Sequence, residues 1–224
     1  MKVPPQIAAI VPDGQLTPRQ KRRLLLDLGR RRQKPGTGSG LAFLGRRTAV
    51  HPWPDLRELL RGLDWLIVGG VATRAYMPER MTNDLDILVR TGDGPAVLER
   101  LSQAGYELVS SLAIPGYLLR SPEGVELDVL LGEYPWLDAE LGHPEHDQAG
   151  YPVIRLPYLV LLKMIAARGR DIGDLTTMLG LANAEALTEI RTTVARYTPE
   201  DRDDLETLIY LGQREMQPPK QSGA

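Results

Sequence analysis

The sequence of 224 residues predicts an α/β (α+β) fold, in which a small mixed sheet is flanked by helices, a basic helical arm precedes the sheet and a helical part follows it. Three observations lead to this prediction. Short apolar runs with the length of strands recur between residues 65 and 131, bounded by glycine, proline and acidic residues. Residues 156–224 instead show the apolar period of helices. Residues 1–50 hold 11 Lys and Arg against two Asp, whereas the other 174 residues hold 16 Lys and Arg against 27 acids.

These observations divide the chain into a basic N-terminal arm (residues 1–50), a core (residues 51–155) and a C-terminal helical region (residues 156–224). A hydrophobic fraction of 42% supports a buried core. The sequence has no cysteine, which excludes disulfides, thiolate zinc sites and cysteine nucleophiles, and which fits a reducing cytoplasm. No apolar run approaches the ~20 residues of a membrane span, and the N-terminus lacks a signal-peptide core. We therefore expect a cytoplasmic protein with no membrane partner.

The basic arm predicts a helix that begins at Thr17-Pro18, because Thr is a good N-cap and Pro fits the first helical position. The helix would run to about Arg32, with its apolar stripe formed by leucines at positions 24, 25 and 28. Its basic side chains either contact nucleic-acid phosphates or are solvated while the leucines dock on the acidic body. The arginines of the first interpretation are Arg22, Arg23, Arg30 and Arg31.

The core begins with a short helix from Pro54-Asp55 to about Leu63, followed by the apolar strand Leu66-Ile67-Val68. The strand stops at Gly69-Gly70, and a helix-permissive segment follows. Because glycine has no Cβ, a phosphate could approach the backbone N–H groups at the start of that helix.

A second apolar strand carries Asp84 and Asp86, which are two residues apart and therefore share one face. Leu85 and Ile87 would then point into the core. Neighbouring carboxylates repel unless a cation lies between them. The simplest cation is Mg²⁺, which takes oxygen ligands and usually retains a substrate phosphate.

Further elements follow in the order helix, strand and hairpin. A helix is predicted from Gly94-Pro95 to about Ala104, a strand from residue 106 to 112, and a hairpin of residues 117–120 and 125–131 around Ser121-Pro122-Glu123-Gly124. The last strand alternates, so that Asp128 faces the side opposite to Val129 and becomes a candidate third carboxylate. Glu126 competes for the same role.

Residues 132–152 are predicted to be a polar loop, since Pro144 opposes the regular helix that would align His143 with His146 as metal ligands. A helix is predicted from Tyr158 to about Leu179, with Lys163, Arg170 and Asp174 on one ridge. Two further helices would begin at Asn183 and at Thr198-Pro199.

The glycine pair, followed after thirteen residues by Asp84-x-Asp86 within the run Arg80-x-Thr82-x-Asp84-x-Asp86, resembles the signature of the nucleotidyltransferase (polymerase-beta-like) fold. The same form is seen in bacterial proteins that include the AbiEii toxin group and minimal nucleotidyltransferases. The resemblance covers residues 65–180, and this chain has Gly-Gly-Val where many members have Gly-Ser. It implies that Asp84, Asp86 and Asp128 are catalytic and hold Mg²⁺ or Mn²⁺. It also implies a set of nucleotide-binding residues: Gly69, Gly70, Thr73, Arg80, Thr82 and Lys163.

The resemblance implies an enzyme that moves a nucleotide from a nucleoside triphosphate to an acceptor hydroxyl and releases pyrophosphate. The basic arm and the toxin resemblance favour RNA, such as a tRNA end, as the acceptor, with a cognate antitoxin protein as a partner. One alternative is the transfer of AMP to a partner protein or to a small molecule such as an aminoglycoside. Another is a non-catalytic module of the same fold that binds a nucleotide or a partner.

Overall fold

The computed structural model describes residues 16–32, 53–78, 82, 84–147 and 149–216. Arg80 and most of the basic arm lie outside the described residues. The described chain forms two compact units: a sheet unit within residues 53–159, and a helical unit made of residues 16–32 and 160–216. The predicted fold class, a mixed sheet flanked by helices, is confirmed. Among the described residues, no helix combines the length and apolarity needed to cross a bilayer.

The chain opens with the N-terminal helix and then builds the sheet. The elements up to residue 153 are α1 (Pro18–Arg32), α2 (Leu56–Leu59), β1 (Leu66–Val68), α3 (Gly69–Ala72), β2 (Asp84–Arg90), α4 (Gly94–Gln103), β3 (Glu107–Ser111), β4 (Gly116–Arg120), β5 (Glu126–Gly132), α5 (Leu137–Gly142), β6 (Glu145–His146) and β7 (Pro152–Val153).

The seven strands form one sheet in the order β3-β4-β5-β2-β1-β7-β6. The pairs β2–β5 and β1–β7 are parallel, and the other pairs are antiparallel. The five strands predicted between residues 66 and 131 are confirmed. The prediction of an irregular loop over residues 132–152 is wrong in part, because this segment also contains α5 and the short strands β6 and β7. Two-residue strands leave no period in a sequence, so their pairing depends on the neighbouring strand β1.

The alternation along β2 and β5 packs one set of buried side chains on the face opposite the acidic residues. Leu85, Ile87 and Leu127 are each at most 2% exposed. Helix α4 adds the buried side chains of Val97 and Leu101. The side chains at even-numbered positions of β2 and β5 point to the other face, where the acidic residues lie.

The remaining helices are α6 (Leu156–Ala166), α7 (Gly169–Leu181), α8 (Ala184–Tyr197) and α9 (Arg202–Glu215). The single helix predicted from Tyr158 to Leu179 is therefore wrong, since it is divided between α6 and α7. Ala167 adopts a left-handed conformation with φ 49°, which interrupts the helical hydrogen bonds. The next residue is extended, and its backbone N–H donates to the Asp171 carboxylate at 3.1 Å, which caps the start of α7.

Helix α1 packs within the helical unit through a charged residue. Arg22 and Leu26 are 1% and 3% exposed, whereas Leu25 and Leu28 are 38% and 43% exposed. The predicted leucine stripe is therefore wrong: the buried face follows positions 22, 26 and 29. Arg22 is one of the four arginines predicted to contact nucleic acid, and its burial removes it from the accessible surface of the unit.

Candidate active site

Three carboxylates converge on one face of the sheet, opposite the buried side chains of β2 and β5. Asp86 and Asp128 are direct partners in the parallel pair of β2 with β5, and Asp84 lies two residues before Asp86 on the same face. One oxygen from each of the three carboxylates lies within 4.8 Å of the others. Asp84 and Asp128 are both half-buried. Alternation placed Asp84 and Asp86 on one face and left Asp128 and Glu126 as candidates for the third carboxylate. The strand register brings Asp128 into the cluster.

The glycine turn lies directly against this cluster. Val68, the last residue of β1, is the partner of Asp86, so Gly69 begins α3 beside the Asp86 carboxyl group. Gly69 has φ +64°, and a Cβ at this position would lie 1.9 Å from Asp86 Oδ2. The Gly70 N–H donates to the same oxygen at 3.4 Å. Glycine is therefore required at position 69 for both its backbone conformation and its small volume.

Two threonines hold this arrangement in place. The Thr82 hydroxyl donates to Asp84 Oδ1, which orients the first carboxylate of the cluster. The Thr73 hydroxyl donates to the Gly70 carbonyl at 2.7 Å, and Thr73 is fully buried. The structure thus gives both residues contacts within the protein, while their predicted contact with a nucleotide stays a prediction.

The carboxylate cluster has the donor set of a hard divalent cation. Mg²⁺ and Mn²⁺ prefer carboxylate oxygen ligands, and a cation would relieve the repulsion of three clustered negative charges. Within the described ranges, no other group of three or more His, Cys, Asp or Glu side chains could hold a metal ion. The residues present therefore fit the predicted cation at Asp84, Asp86 and Asp128.

Lys163 lies in the helical unit, where its ammonium group is enclosed by acids. Its Nζ is 2.6 Å from Asp174 Oδ2 and 3.4 Å from Asp171 Oδ1, and the residue is 3% exposed. Burial raises the pKa of the Asp171 carboxyl, but the hydrogen bond from Arg168 and the charge of Lys163 outweigh burial and hold this pKa below its usual value. Because the helix is interrupted at Ala167, Lys163 and Asp174 lie on two different helices and form this ion pair instead of the predicted ridge. Binding of a nucleotide by Lys163 stays a prediction.

The arginines predicted to contact nucleic acid differ in their surroundings. Arg22 Nε donates to Asp204 Oδ2 at 2.8 Å, and the same guanidinium group binds Asp201 and the carbonyl of Met164. The other three are exposed, and one of them forms a surface ion pair with Asp27. A nucleic-acid contact stays a prediction for Arg23, Arg30 and Arg31.

No protein-family model matches the chain, and no curated protein matches it. Three solved structures, which belong to two proteins, are similar to part of it. ANT(2″)-Ia in complex with adenylyl-2″-tobramycin shows 16% identity and a TM-score of 0.39, over 68% of this chain and 88% of that chain. The lincomycin-bound lincosamide antibiotic adenylyltransferase LnuA shows 14% identity and a TM-score of 0.35, over 62% and 90%. A solution structure of ANT(2″)-Ia shows 18% identity and a TM-score of 0.34, over 68% and 83%.

At these TM-scores the similarity carries no conclusion about the activity of this chain. Its function has to be inferred from the residues of the sheet unit and from their chemistry.

Proposed function

We propose that the protein is a metal-dependent nucleotidyltransferase that moves a nucleotide from a nucleoside triphosphate to an acceptor hydroxyl and releases pyrophosphate. One observation carries the proposal: three carboxylates converge beside a glycine turn that begins a helix. A carboxylate triad suits the divalent cation that accompanies a triphosphate, and the turn leaves backbone groups near the same place. The resemblance of the Arg80–Asp86 motif to nucleotidyltransferases supports the same class.

The three carboxylates would have different roles in the reaction. Asp84 and Asp86 would hold Mg²⁺ or Mn²⁺, which supplies charge neutralisation for the triphosphate when it is bound. Asp128 would complete the ligand set and accept the proton of the acceptor hydroxyl. The acceptor oxygen forms a bond to the α-phosphorus, the bond from that phosphorus to the oxygen bridging to the β-phosphate breaks, and pyrophosphate leaves with the electron pair.

The phosphates of the nucleotide would be held by groups next to the cluster. Gly69 and Gly70 supply backbone at the turn, while Thr73 and Thr82 stabilise the geometry around it. Phosphate contacts of Arg80 and Lys163 rest on the resemblance alone, and no position relative to the cluster is assigned to either residue. The protein thus contributes positioning and charge to the transfer, which are the main requirements of phosphoryl chemistry.

Two acceptor classes follow from different features of the chain. The resemblance to AbiEii toxins and the exposed arginines of α1 favour an RNA end, with a cognate antitoxin as regulator. The burial of Arg22 removes one of the four proposed phosphate contacts and so weakens this version. The alternative acceptor is a hydroxyl of a partner protein or of a small molecule of the aminoglycoside type.

The deciding experiment compares Asp86→Asn with the parent protein and with Asp203→Asn, an exposed carboxylate of α9. Transfer of label from α-³²P nucleotides is measured in the presence of Mg²⁺ or Mn²⁺, with total tRNA in one arm and aminoglycosides in the other. We expect Asp86→Asn to lower the rate by on the order of 10³-fold, because loss of a metal ligand costs several kcal/mol of transition-state stabilisation. Asp203→Asn should match the parent.

Equal transfer by Asp86→Asn and the parent would refute the proposal. The arm that becomes labelled identifies the acceptor class. Calorimetry tests the competing hypothesis of a non-catalytic module. That hypothesis predicts Mg²⁺-dependent binding of nucleoside triphosphate by the parent without turnover in any arm.

A further inference from the structure

Beyond the carboxylate cluster, the same face of the sheet presents the exposed side chains of Glu126, Arg120 and Glu107, and this part is called the open face. The opposite face is closed by buried residues such as Leu119 and Leu127. Strand register extends the open face from β5 to β4 and β3: Leu118 is the partner of Asp128, and Arg120 is the partner of both Glu126 and Glu107. All of these side chains share the face of the cluster, because paired residues of neighbouring strands point to the same side of a sheet.

Arg120 is the only Lys or Arg within β3, β4 and β5. It is exposed, and among the described residues its side chain forms no hydrogen bond or ion pair, although Glu107 and Glu126 are its cross-strand neighbours. Most of the other arginines that the structure describes in the sheet unit already form ion pairs. Each of four binds a carboxylate: Arg57, Arg74, Arg90 and Arg155. The Arg120 guanidinium is therefore available to a ligand on the open face.

The distance from Arg120 to the carboxylate cluster is set by the sheet. Arg120 lies two residues beyond Leu118, the partner of Asp128, so Arg120 and Asp128 are diagonal neighbours. Diagonal neighbours in an antiparallel pair have Cα atoms about 7–8 Å apart, which long side chains can span. The guanidinium group can thus reach the space above Asp128 without any change in the backbone.

Charge balance indicates what would fill that space. The cluster and Glu126 place four carboxylates next to one another on β2 and β5. On the β1 side of the cluster lies the glycine turn, whose Gly70 N–H donates to Asp86. On the β4 side, Arg120 is the group that could donate to an anion. A guanidinium group presents a planar set of donors that matches phosphate oxygens and keeps its charge at all relevant pH values.

We infer that Arg120 binds the phosphate chain of the nucleotide on the side of the cluster opposite the glycine turn. This inference rests on the proposed function, since it assigns a residue to the same site. Arg120 would hold the chain between β4 and β1, so that the α-phosphorus lies over Asp128. It belongs to neither the Arg80–Asp86 motif nor the basic arm, and only the register of β4 with β5 connects it to the site.

The test measures binding of ATP and of inorganic tripolyphosphate by calorimetry with Mg²⁺ present and with no acceptor, so that the charge of the carboxylates is balanced and the readout needs no turnover. The variants are Arg120→Gln and Arg120→Lys, with Arg61→Gln as the matched control, because Arg61 is an exposed arginine of the same unit in a surface pair with Glu58. We expect Arg120→Gln to weaken both ligands about tenfold to a hundredfold, as for loss of a charge-assisted hydrogen bond. Arg120→Lys should retain part of the affinity, because lysine keeps the positive charge but lacks the planar set of donors of a guanidinium group.

Adenosine carries the base and the ribose but no phosphate. Its affinity should therefore be the same for Arg120→Gln and for the parent if Arg120 contacts phosphate only. The inference is overturned if Arg120→Gln binds ATP as the parent does, if Arg61→Gln loses as much affinity, or if the parent binds no tripolyphosphate. Weakened binding of tRNA with unchanged binding of ATP would also overturn it. Far-UV circular dichroism and thermal unfolding check that each variant is folded.

The outcomes distinguish this inference from the proposed function. Tripolyphosphate binding that depends on Arg120, with no transfer of label by the parent, would remove the proposed activity and leave the phosphate site. Transfer that depends on Asp86, with ATP binding unaffected by Arg120→Gln, would leave the activity and remove Arg120 from it.

Discussion

At the scale of single residues, Gly69 is where backbone conformation and site chemistry coincide. Its left-handed φ already disfavours any other residue, and an added Cβ would meet the Asp86 carboxyl. A substitution here therefore has two separable effects: strain in the backbone and displacement of a carboxylate of the cluster.

We predict that Gly69→Ala lowers the unfolding free energy by about 2–4 kcal/mol, from left-handed strain together with overpacking. It should also weaken Mn²⁺ binding, because the Asp86 carboxyl has to move. Gly62→Ala is the matched control, since Gly62 has φ +81° and nothing lies within 4 Å of its Cβ position.

Urea denaturation and electron paramagnetic resonance of bound Mn²⁺ measure the two effects. Gly62→Ala should lose only the part of the unfolding free energy that left-handed strain costs, and it should bind Mn²⁺ as the parent does. Equal Mn²⁺ affinity in Gly69→Ala and the parent would contradict the geometry described for the turn.

Residue patterns predicted much of this site. Asp84 and Asp86 share a face because of simple alternation, and the same rule selected Asp128 from the hairpin strand. The pairing of Asp86 with Asp128 was beyond the sequence, because the register of two parallel strands some 40 residues apart depends on the whole sheet. The partnership of Thr82 with Asp84, likewise, is a hydrogen bond that the motif does not specify.

At the scale of elements, α1 is fixed within the helical unit by a buried ion pair. Arg22 is fully enclosed, and its partners Asp201 and Asp204 are each 6% exposed. A buried charge is costly to leave unpaired, so each member of this group depends on the others. The pattern of leucines predicted a conventional apolar stripe. This prediction failed because α1 is held by the hydrogen bonds of Arg22 to residues about 180 positions away in the sequence.

We predict that Arg22→Met lowers the unfolding free energy by about 3–5 kcal/mol, because it removes the buried cation that two buried carboxylates share and leaves them only partly exposed arginines as partners. Arg31→Met is the control, since Arg31 is exposed and forms only a surface pair with Asp27, and it should change stability by less than about 0.5 kcal/mol. The measurement is guanidinium chloride denaturation at pH 7.

A triple variant tests the cause. Adding Asp201→Asn and Asp204→Asn to Arg22→Met removes the excess buried negative charge and should recover part of the lost stability. If the triple variant is less stable than Arg22→Met by the sum of the separate effects, the buried ion pair does not account for the stability of α1.

Other elements show the same limit of sequence analysis. The helices at Asn183 and Thr198-Pro199 were predicted from their caps, and the Asn183 side chain does accept from the Ala186 N–H at 2.8 Å. The division between α6 and α7 was missed because Ala is a strong helix former, whereas Ala167 is held in a left-handed conformation by its surroundings. The Thr198-Pro199 signal instead marks a 3₁₀ turn over Pro199–Asp201 in which the Thr198 side chain makes no capping hydrogen bond with the described backbone, and α9 begins at Arg202.

At the scale of the whole molecule, the charge asymmetry of the sequence is partly resolved inside the helical unit. The basic helix α1 meets acids from the end of the chain, as Arg19, Arg22 and Arg23 all lie close to Asp201 or Asp204. Opposite charges that are far apart in sequence thus neutralise one another in the fold. Three basic residues of the described part of the arm are therefore paired with acids of the same unit, which leaves fewer of them for an anionic partner.

The paired carboxylates also predict how the stability of the molecule depends on pH. Hydrogen bonds from Arg57 and Arg191 lower the pKa of Asp55 and of Glu206, and the buried Asp171 keeps a lowered pKa through Arg168 and Lys163 despite its burial. A carboxyl whose pKa is lower in the folded state binds fewer protons there than in the unfolded chain, so stability rises with pH in this range. The contribution is complete above the unfolded pKa of about 4 and is lost as the pH falls through the folded value.

We therefore predict an unfolding free energy that is nearly constant from pH 7 to 5 and that falls steeply below pH 4. Asp171→Asn should be less stable than the parent at pH 7 and should show a shallower loss below pH 4, because its titrating group is gone. Asp203→Asn, which replaces an exposed carboxylate, should reproduce the slope of the parent. Urea denaturation at pH 7, 5, 4 and 3 gives the three curves, and parallel curves for Asp171→Asn and the parent would show that this buried carboxylate does not govern the acid transition.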